Sequence, residues 1–174
     1  MLFCGIDPSF TNTAIVVLDS SCKLVFTRVL HAKCPKAWYE RVNEILSLQH
    51  QFRRILSDVQ PDIVTMEGHS YGSRFLTFAF GELGFALRSV LLGYTTYIVP
   101  PSTLKKFITG NGRADKDAIA EAVLAAVGLS FPDSHQADAC MCALAGMVAS
   151  GHIELGHPEA LSGQRAYLGY DNPR

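Results

Sequence analysis

The sequence predicts an α/β domain built on a mixed five-stranded sheet, with its elements in the order βββαβαβα. The first thirty residues alternate apolar runs with turns too short to cross a sheet, and such turns join only antiparallel neighbours. From residue 35 onward, stretches with helical periodicity alternate with short β-branched runs, which is typical of parallel strands joined by helices. We therefore expect a three-stranded antiparallel meander, then two parallel strands, with helices flanking the sheet.

The meander is predicted at three apolar runs, residues 2–6, 13–18 and 23–30, with proline, serine and aspartate in the turns between them. A long amphipathic helix is predicted over residues 35–59, because apolar side chains recur there at steps of three and four. The apolar stripe of this helix consists of Trp38, Val42, Ile45, Leu48, Phe52, Ile55 and Val59.

Two more strands are expected at "DIVTME", residues 62–67, and at "TTYIV", residues 95–99. Four further helices are predicted, the last of them with Ser134 as its cap. They cover residues 75–92, 102–108, 115–127 and 134–150. The folded domain is expected to span residues 1–154, and the Gly-, Pro- and polar-rich residues 155–174 are expected to form a flexible C-terminal tail.

The composition indicates a soluble globular protein, since 48% of the 174 residues are hydrophobic and 18% are charged. No window approaches the roughly 18 consecutive apolar residues of a membrane span, and the N-terminus has no export signal. The five cysteines include no CxxC pair, so we expect reduced thiols and a cytoplasmic location. A net charge of −1 and a pI near 6.6 argue mildly against a nucleic-acid partner.

Acidic residues stand at the ends of two predicted strands. Asp7 and Glu67 each close a strand just before a turn, and the carboxyl ends of strands in an α/β sheet are where sites are built. His135 and Asp138 lie three residues apart on the last helix, so an imidazole and a carboxylate can face the same point. Carboxylates gathered in this way repel one another unless a cation lies between them, and hard oxygen ligands suit Mg²⁺ or Mn²⁺. Two such ions, about 4 Å apart, can clamp a phosphodiester from both sides.

Each of these residues also has a simpler interpretation. Asp7 before Pro8 can start a turn, and Glu67 can be a solvated surface acid. His135 and Asp138 can stabilise the N-terminus of a helix. The conjunction of acids at two strand ends and one helix start, in a chain with only 16 acidic residues, favours the metal site.

Two loops carry basic and aromatic side chains suited to DNA. A glycine-bracketed loop, "TGNGRA", lies among four cations, and its backbone amides can meet phosphates. The cations are Lys105, Lys106, Arg113 and Lys116. Shortly after Glu67, Tyr71 can stack on an unpaired base and Arg74 can hold a phosphate. Ordinary solvated loops explain both stretches equally well on this pattern alone.

Four segments together resemble the RuvC-type Holliday junction resolvases. They are "GIDPS" at the first strand, "MEG" at the fourth, "LKKFITGNGRADKDAI" and "HQADACMCAL", in the order and at the spacing of that family. The resemblance covers residues 3–150. It implies the RNase H fold and a homodimeric endonuclease of DNA recombination and repair. That enzyme would use two Mg²⁺ or Mn²⁺ ions to nick opposing strands of a four-way DNA junction symmetrically.

The resemblance also implies a role for each residue of the metal site. Asp7 would bridge the two ions, and Glu67 and Asp138 would be ligands. His135 would be the fourth site residue, at a position where many members of the family have aspartate.

Two lysines, Lys105 and Lys116, match family lysines that bind junction phosphates, with Lys116 near the scissile region. Bound divalent ions would add positive charge at the same edge of the sheet. A local positive field can bind DNA despite a neutral total charge, because the local field governs phosphate contacts.

The chain departs from the family at several positions. Ser9 and Ala14 stand where the family usually has glycine. The aromatic residue that wedges between bases usually lies close behind the glutamate, whereas here His69 comes second and Tyr71 fourth. These departures leave the cleavage-sequence preference open, and they fit a divergent phage or viral member.

Other functions fit parts of the sequence. A broader branched-DNA nuclease would share the site without strict selectivity for four-way junctions. "GIDPSFTNTAIVV" also looks like the first phosphate-binding hairpin of the actin, sugar-kinase and heat-shock chaperone ATPases, although those need two such lobes and roughly twice this length. A non-catalytic RNase H-like module would bind structured nucleic acid without cleaving it.

Overall fold

The structure is a computed structural model that describes residues 1–68 and 77–167. Its strands are β1 (Leu2–Asp7), β2 (Thr13–Asp19), β3 (Leu24–Leu30), β4 (Ile63–Glu67) and β5 (Thr95–Val99). Within the described residues they form one five-stranded sheet in the order β3-β2-β1-β4-β5. β1 and β3 both pair antiparallel with β2, whereas β4 pairs in parallel with β1 and with β5. The predicted mixed sheet is confirmed.

The helices also lie close to their predicted positions. They are α1 (Trp38–Val59), α2 (Thr77–Leu91), α3 (Pro101–Thr109), α4 (Lys116–Val127) and α5 (Ser134–Ala149). The predicted cap of α5 is wrong by one residue. The side chain of Asp133, and not that of Ser134, accepts the backbone N–H of His135 at 2.9 Å, so Ser134 is the first helical residue. A charged carboxylate at this position also suits the positive end of the helix dipole.

The sheet lies between two helical layers, each with its own hydrophobic core. Alternate residues of a strand point to opposite faces, so Cys4 and Ile6 of β1 pack with α1 and α2, whereas Phe3 packs with α3, α4 and α5. α5 contacts β1, β2 and β4, the centre of the sheet. The position of α5 therefore determines which side chains face the odd-numbered residues of β1.

Two glycines allow α5 to approach the sheet closely. A Cβ at Gly5 of β1 would lie 1.9 Å from the carbonyl oxygen of Ala139, and a Cβ at Gly146 of α5 would lie 2.3 Å from Oγ1 of Thr65. Both distances are far below van der Waals contact, so any side chain at either position would force helix and sheet apart. The close approach fixes the distance between the ends of the strands and the first turns of α5.

The apolar stripe predicted for α1 is buried only in its later part. Ile45, Leu48, Phe52 and Leu56 are buried, but Trp38 is 68% exposed. Trp38, which belongs to the predicted apolar stripe, therefore lies outside the buried part of the helix. Helical periodicity identifies a face of a helix, and it does not show where along the helix the sheet beneath it ends.

The flexibility of residues 155–174 and the domain boundary at residue 154 stay predictions. The described part of this segment, residues 155–167, lies on the domain. The backbone N–H of His157 donates to the Phe107 carbonyl at 2.8 Å, Leu161 is buried, and Tyr167 exchanges backbone hydrogen bonds with Thr96. Among the described residues, none of the helices has the length and apolarity that a membrane crossing would need.

Candidate active site

Asp7 and Glu67 close two adjacent parallel strands at the same edge of the sheet. The register of β1 and β4 pairs Ile6 with Met66, so the next residue of each strand is one of the two acids. Both acids fall on the odd-numbered side of their strands, and this is the side that α5 covers. The two carboxyl groups predicted to converge do so because of this register and this parity.

The first turn of α5 brings His135 and Asp138 to the same place. Asp7, His135 and Asp138 each offer one ligand atom within 4.8 Å of the other two, the arrangement of a metal-binding cluster. Glu67 lies outside this tight group but close enough that Asp7 and Asp138 both perturb its ionisation. The four residues predicted from the sequence therefore lie at one site. Three of them are close enough together for their ligand atoms to bind one metal ion.

The carboxylates of this site destabilise one another in their charged forms. Burial is the main cause that raises the pKa of Glu67 to about 8, and the negative charges of Asp7 and Asp138 add to it, against the lowering effect of Lys105 and Lys116. Burial and then Asp7 raise the pKa of Asp138 to about 6. A cation among these side chains would remove the repulsion, which is the physical reason that such clusters bind metal ions.

His135 compensates part of this charge. Its Nδ1 lies 2.6 Å from Oδ2 of Asp7, and since a carboxylate oxygen only accepts, Nδ1 donates. This hydrogen bond is the main cause of a raised pKa for His135, with burial opposing it and the charges of Asp7 and Asp133 adding to it. The imidazole therefore favours its protonated form when it pairs with Asp7.

Two of the predicted basic residues lie beside the carboxylates. Nζ of Lys116 donates to Oγ of Ser134 at 3.0 Å, at the start of α5, and Nζ of Lys105 donates to the carbonyl of Ala114 at 2.8 Å. Both lysines lower the pKa of Glu67 and of Asp138, so their charges act on the site.

The other predicted DNA contacts differ in their placement. The side chains of Lys106 and Arg113 are exposed on α3 and on the loop before α4. Tyr71 and Arg74 lie outside the residues that the structure describes. A role for any of these four residues in DNA binding stays a prediction.

The donor set fits a hard divalent cation. It provides carboxylate oxygens from Asp7, Asp138 and Glu67 and one imidazole nitrogen from His135, with no thiolate in the cluster found among the described residues. Carboxylate-rich sites of this kind suit Mg²⁺ and Mn²⁺ better than softer metals. The site is therefore able to hold a metal ion.

Comparison with known proteins places the chain in a family. No protein-family model matches it. A Thermus thermophilus protein named crossover junction endodeoxyribonuclease RuvC is 30% identical over 161 residues, which cover 83% of this chain and 92% of that protein. This chain belongs to the RuvC family.

Further comparisons agree with RuvC membership. The RuvC of Synechococcus sp. (strain CC9311) is 28% identical over 159 residues, which cover 84% of this chain and 98% of that protein. The solved structure of Thermus thermophilus RuvC matches with a TM-score of 0.74 at 22% identity, covering 96% of this chain and all of that one. The structure of the same protein in complex with Holliday junction substrate matches with a TM-score of 0.73. The RNase H-like fold implied by the resemblance is confirmed.

The serine at a usual RuvC glycine position has a local explanation. The N–H of Ser9 donates to Oγ1 of Thr13 at 3.2 Å, and the Thr13 hydroxyl donates back to the Ser9 carbonyl. Among the described non-glycine residues, only Cys22 and Gln60 have positive φ, so the backbone of Ser9 does not need glycine. A threonine side chain closes this turn, and serine is tolerated within it.

One contact of the RuvC site was not predicted from the sequence. Nε2 of Gln136, a residue that is only 9% exposed, donates to Oγ1 of Thr27 on β3 at 2.8 Å. This contact joins residues 109 positions apart and ties the first turn of α5, next to His135, to β3. No local pattern indicates such a pair, although a glutamine inside an apolar helix is a signal that a buried partner must exist.

Proposed function

We propose that this protein is a metal-dependent endonuclease that resolves four-way DNA junctions by paired, symmetric nicks. The observation that carries the proposal is the convergence of Asp7, His135 and Asp138, with Glu67 beside them, in a chain of the RuvC family. Relatives bear the name crossover junction endodeoxyribonuclease, and the Thermus thermophilus protein of the same fold is described with Holliday junction substrate.

Asp7, Glu67, His135 and Asp138 would hold two Mg²⁺ or Mn²⁺ ions. When bound, such ions activate water for direct attack on the phosphodiester and stabilise the leaving 3′ oxygen. Asp7 can serve both sides of the site because it lies at the centre, on the strand next to Glu67 and in hydrogen-bond contact with His135. To offer Nδ1 as a ligand, His135 would release the proton that it now shares with Asp7.

The lysines would orient the DNA strand rather than react. Lys116 and Lys105 act electrostatically on Glu67 and Asp138, so a phosphate held by their ammonium groups would lie beside the carboxylates. Their charges would also offset the repulsion between the phosphate and the acids. The products would carry a 5′ phosphate and a 3′ hydroxyl, without a covalent enzyme intermediate.

A homodimer is part of this proposal. Symmetric nicks in opposing strands require two copies of the site related by a two-fold axis. The outer face of α2 exposes Phe78 and Phe85, which are 88% and 72% exposed and lie seven residues apart on one side of the helix. Exposed apolar side chains in this arrangement suit the self-complementary contact of two identical helices. Sedimentation of Phe85→Glu is expected to shift the protein from dimer to monomer.

The proposal is tested with purified protein and four DNA substrates: a four-way junction, a flap, a single strand and a duplex. Each strand is end-labelled in turn, with Mg²⁺ or with EDTA. We expect nicks at symmetry-related positions of two opposing strands, in the four-way junction alone and only with Mg²⁺. Cleavage of flap and junction alike would instead indicate a broader branched-DNA nuclease. Binding without cleavage in any divalent metal, or micromolar affinity for ATP by calorimetry, would contradict the proposal.

A further inference from the structure

The segment between β3 and α1 lies at the same edge of the sheet as the acids. Asp7 pairs with Ala14 and Ala14 pairs with Val29, so two strand spacings, about 10 Å in total, separate the end of β1 from the end of β3. Residue 31 follows two positions after Val29 and opens the segment. Because one strand of a DNA duplex advances about 3.4 Å per nucleotide, this distance corresponds to roughly three nucleotides.

Residues 31–39 combine cations and aromatic rings without an acid. Their sequence is "HAKCPKAWY", and the side chains of Lys33 and Lys36 are exposed. Trp38 and Tyr39 are 68% and 56% exposed, with ring centroids 6.1 Å apart and planes at 89° to each other. Large aromatic side chains exposed next to lysines are typical of surfaces that bind single-stranded or distorted nucleic acid.

The segment is held in place by hydrogen bonds from the rest of the domain. Nδ1 of His31 contacts the Thr11 carbonyl at 2.9 Å, and the N–H of Lys33 donates to the carboxylate of Glu44 at 3.0 Å. At the other end, Arg41 donates to the carbonyls of residues 35 and 36 at 3.2 and 3.3 Å, while its guanidinium pairs with Glu82 of α2 at 2.6 Å. The surface is therefore preorganised, which lowers the entropy lost when a ligand binds.

The exposed rings have no role in the hydrophobic cores of the fold. Trp38 and Tyr39 belong to neither core cluster of the described residues, and the buried part of α1 begins at Ile45. Lys105 lies on α3, which follows β5, and Lys116 donates to Ser134 at the start of α5, whereas the segment follows β3 and contacts the β1–β2 turn through His31. The segment therefore adds exposed cations from a different part of the chain than Lys105 and Lys116.

We propose that residues 31–39 form a second DNA contact, in which Trp38 and Tyr39 stack on unpaired bases and Lys33 and Lys36 hold phosphates of the strand that passes Asp7. The inference rests on the proposed function and adds to it a base-stacking surface outside the loop that follows Glu67. Unpaired bases at the crossover of a branched DNA are the chemistry that the rings would recognise. The positive charge of the segment favours DNA over a second copy of this chain, whose own segment would carry the same charge.

Trp38 is the only tryptophan of the chain, so its fluorescence reports this surface alone. The wild-type protein is titrated in EDTA with a labelled four-way junction, whose binding is followed independently by anisotropy of the label. At saturation we expect the emission to be quenched by about a third or more and acrylamide access to fall about twofold, because a stacked base covers the indole ring.

Saturated binding with unchanged emission and unchanged acrylamide access would overturn the inference and leave the proposed function intact. An absence of DNA binding by anisotropy would overturn both. Emission that changes with protein concentration and not with DNA would identify a second copy as the occupant, which also contradicts the inference.

Two variants extend the test. Trp38→Ala is expected to weaken junction binding about tenfold, the loss of one stacked base. Lys36→Ala is expected to reduce the slope of log affinity against log salt by about 1, the loss of one phosphate contact. Lys23→Ala is the matched control, since Lys23 is an exposed lysine in the β2–β3 turn at the opposite edge of the sheet. An equal change in this salt slope for Lys36→Ala and Lys23→Ala would contradict the proposed phosphate contact of Lys36.

Discussion

His135 donates a hydrogen bond from Nδ1 to Oδ2 of Asp7 across 2.6 Å, and so joins the first turn of α5 to the end of β1. The contact raises the pKa of His135 and places its imidazole among three carboxyl groups. It compensates Asp7, whereas Glu67 and Asp138 keep pKa values of about 8 and about 6. Without a cation, the carboxyl groups of the site therefore still disfavour one another's charged forms.

The stability of the metal-free protein is expected to fall as the pH rises. The folded-state pKa values of Glu67, Asp138 and His135 are all raised, so each group contributes stability that is complete below its unfolded pKa and is lost as the pH passes its folded pKa. In EDTA, the melting temperature should therefore decrease between about pH 4 and about pH 8, and Mg²⁺ should restore it at the upper end. Thermal unfolding followed by circular dichroism measures both effects.

Glu67→Gln is the control for this pH dependence. An amide does not titrate, so the decrease of the melting temperature above about pH 6 should be smaller in the variant than in the wild type. A melting temperature that increases from pH 4 to pH 8 in EDTA would contradict the electrostatic description of the site.

His135→Asp is expected to destabilise the metal-free protein and to increase its dependence on metal. The substitution replaces the donor to Asp7 by a fourth acid, and loss of a charge-assisted hydrogen bond costs about 1.5–3 kcal/mol. For a chain of this size the melting temperature in EDTA should fall by about 3–12 °C, while the increase caused by Mg²⁺ should exceed that of the wild type. His50→Asp, at an exposed position of α1, is the matched control. An equal decrease in the melting temperature of both variants would show that loss of the contact with Asp7 does not cause the destabilisation.

Asp7→Asn is expected to abolish cleavage while junction binding is retained. Asparagine keeps the shape of the side chain but removes a negative charge that would help to hold the cations, so the rate should fall at least about a hundredfold. Gel-based cleavage with Mg²⁺ and anisotropy in EDTA separate the two properties. Asp58→Asn, at a position 73% exposed on α1, should cleave normally. Wild-type cleavage by purified Asp7→Asn would exclude Asp7 from the site.

Lys116→Ala is expected to slow cleavage more than it weakens binding. One phosphate contact among several contributes little to total affinity, but Lys116 acts directly on Glu67 and Asp138. We expect the single-turnover rate to decrease about tenfold and the Kd to change less than about threefold. Lys106→Ala, at an exposed position of α3, provides the comparison. An unchanged rate for Lys116→Ala would remove this lysine from the reaction.

Much of the fold follows from local patterns in the chain. Strand and helix positions agree with the predictions to within a few residues, because period-two and period-3.6 patterns report burial directly. The convergence of Asp7 and Glu67 at one edge of the sheet was also predictable from the sequence. Asp7 and Glu67 each end a strand, and parallel neighbours bring such ends to one edge whatever lies around them.

Errors arose where a residue's neighbour is remote in sequence or where local geometry decides. Trp38 continues the apolar stripe of α1 yet lies exposed, whereas the buried part of the helix begins at Ile45. Asp133 and Ser134 are equally good caps by type, and only the backbone geometry at residue 133 decides between them. The Gln136–Thr27 hydrogen bond joins segments that no local pattern relates.

The sequence by itself determined the elements, their order and the four residues of the site, because these depend on periodicity and on residue type at strand and helix ends. The tertiary structure alone decided how they meet. Gly5 and Gly146 let α5 lie so close to the sheet that His135 reaches Asp7, and the pairing of β1, β2 and β3 brings the start of residues 31–39 to the strand ends that carry the acids. Such contacts depend on distances between elements, and a distance between elements is a property of packing that no single segment encodes.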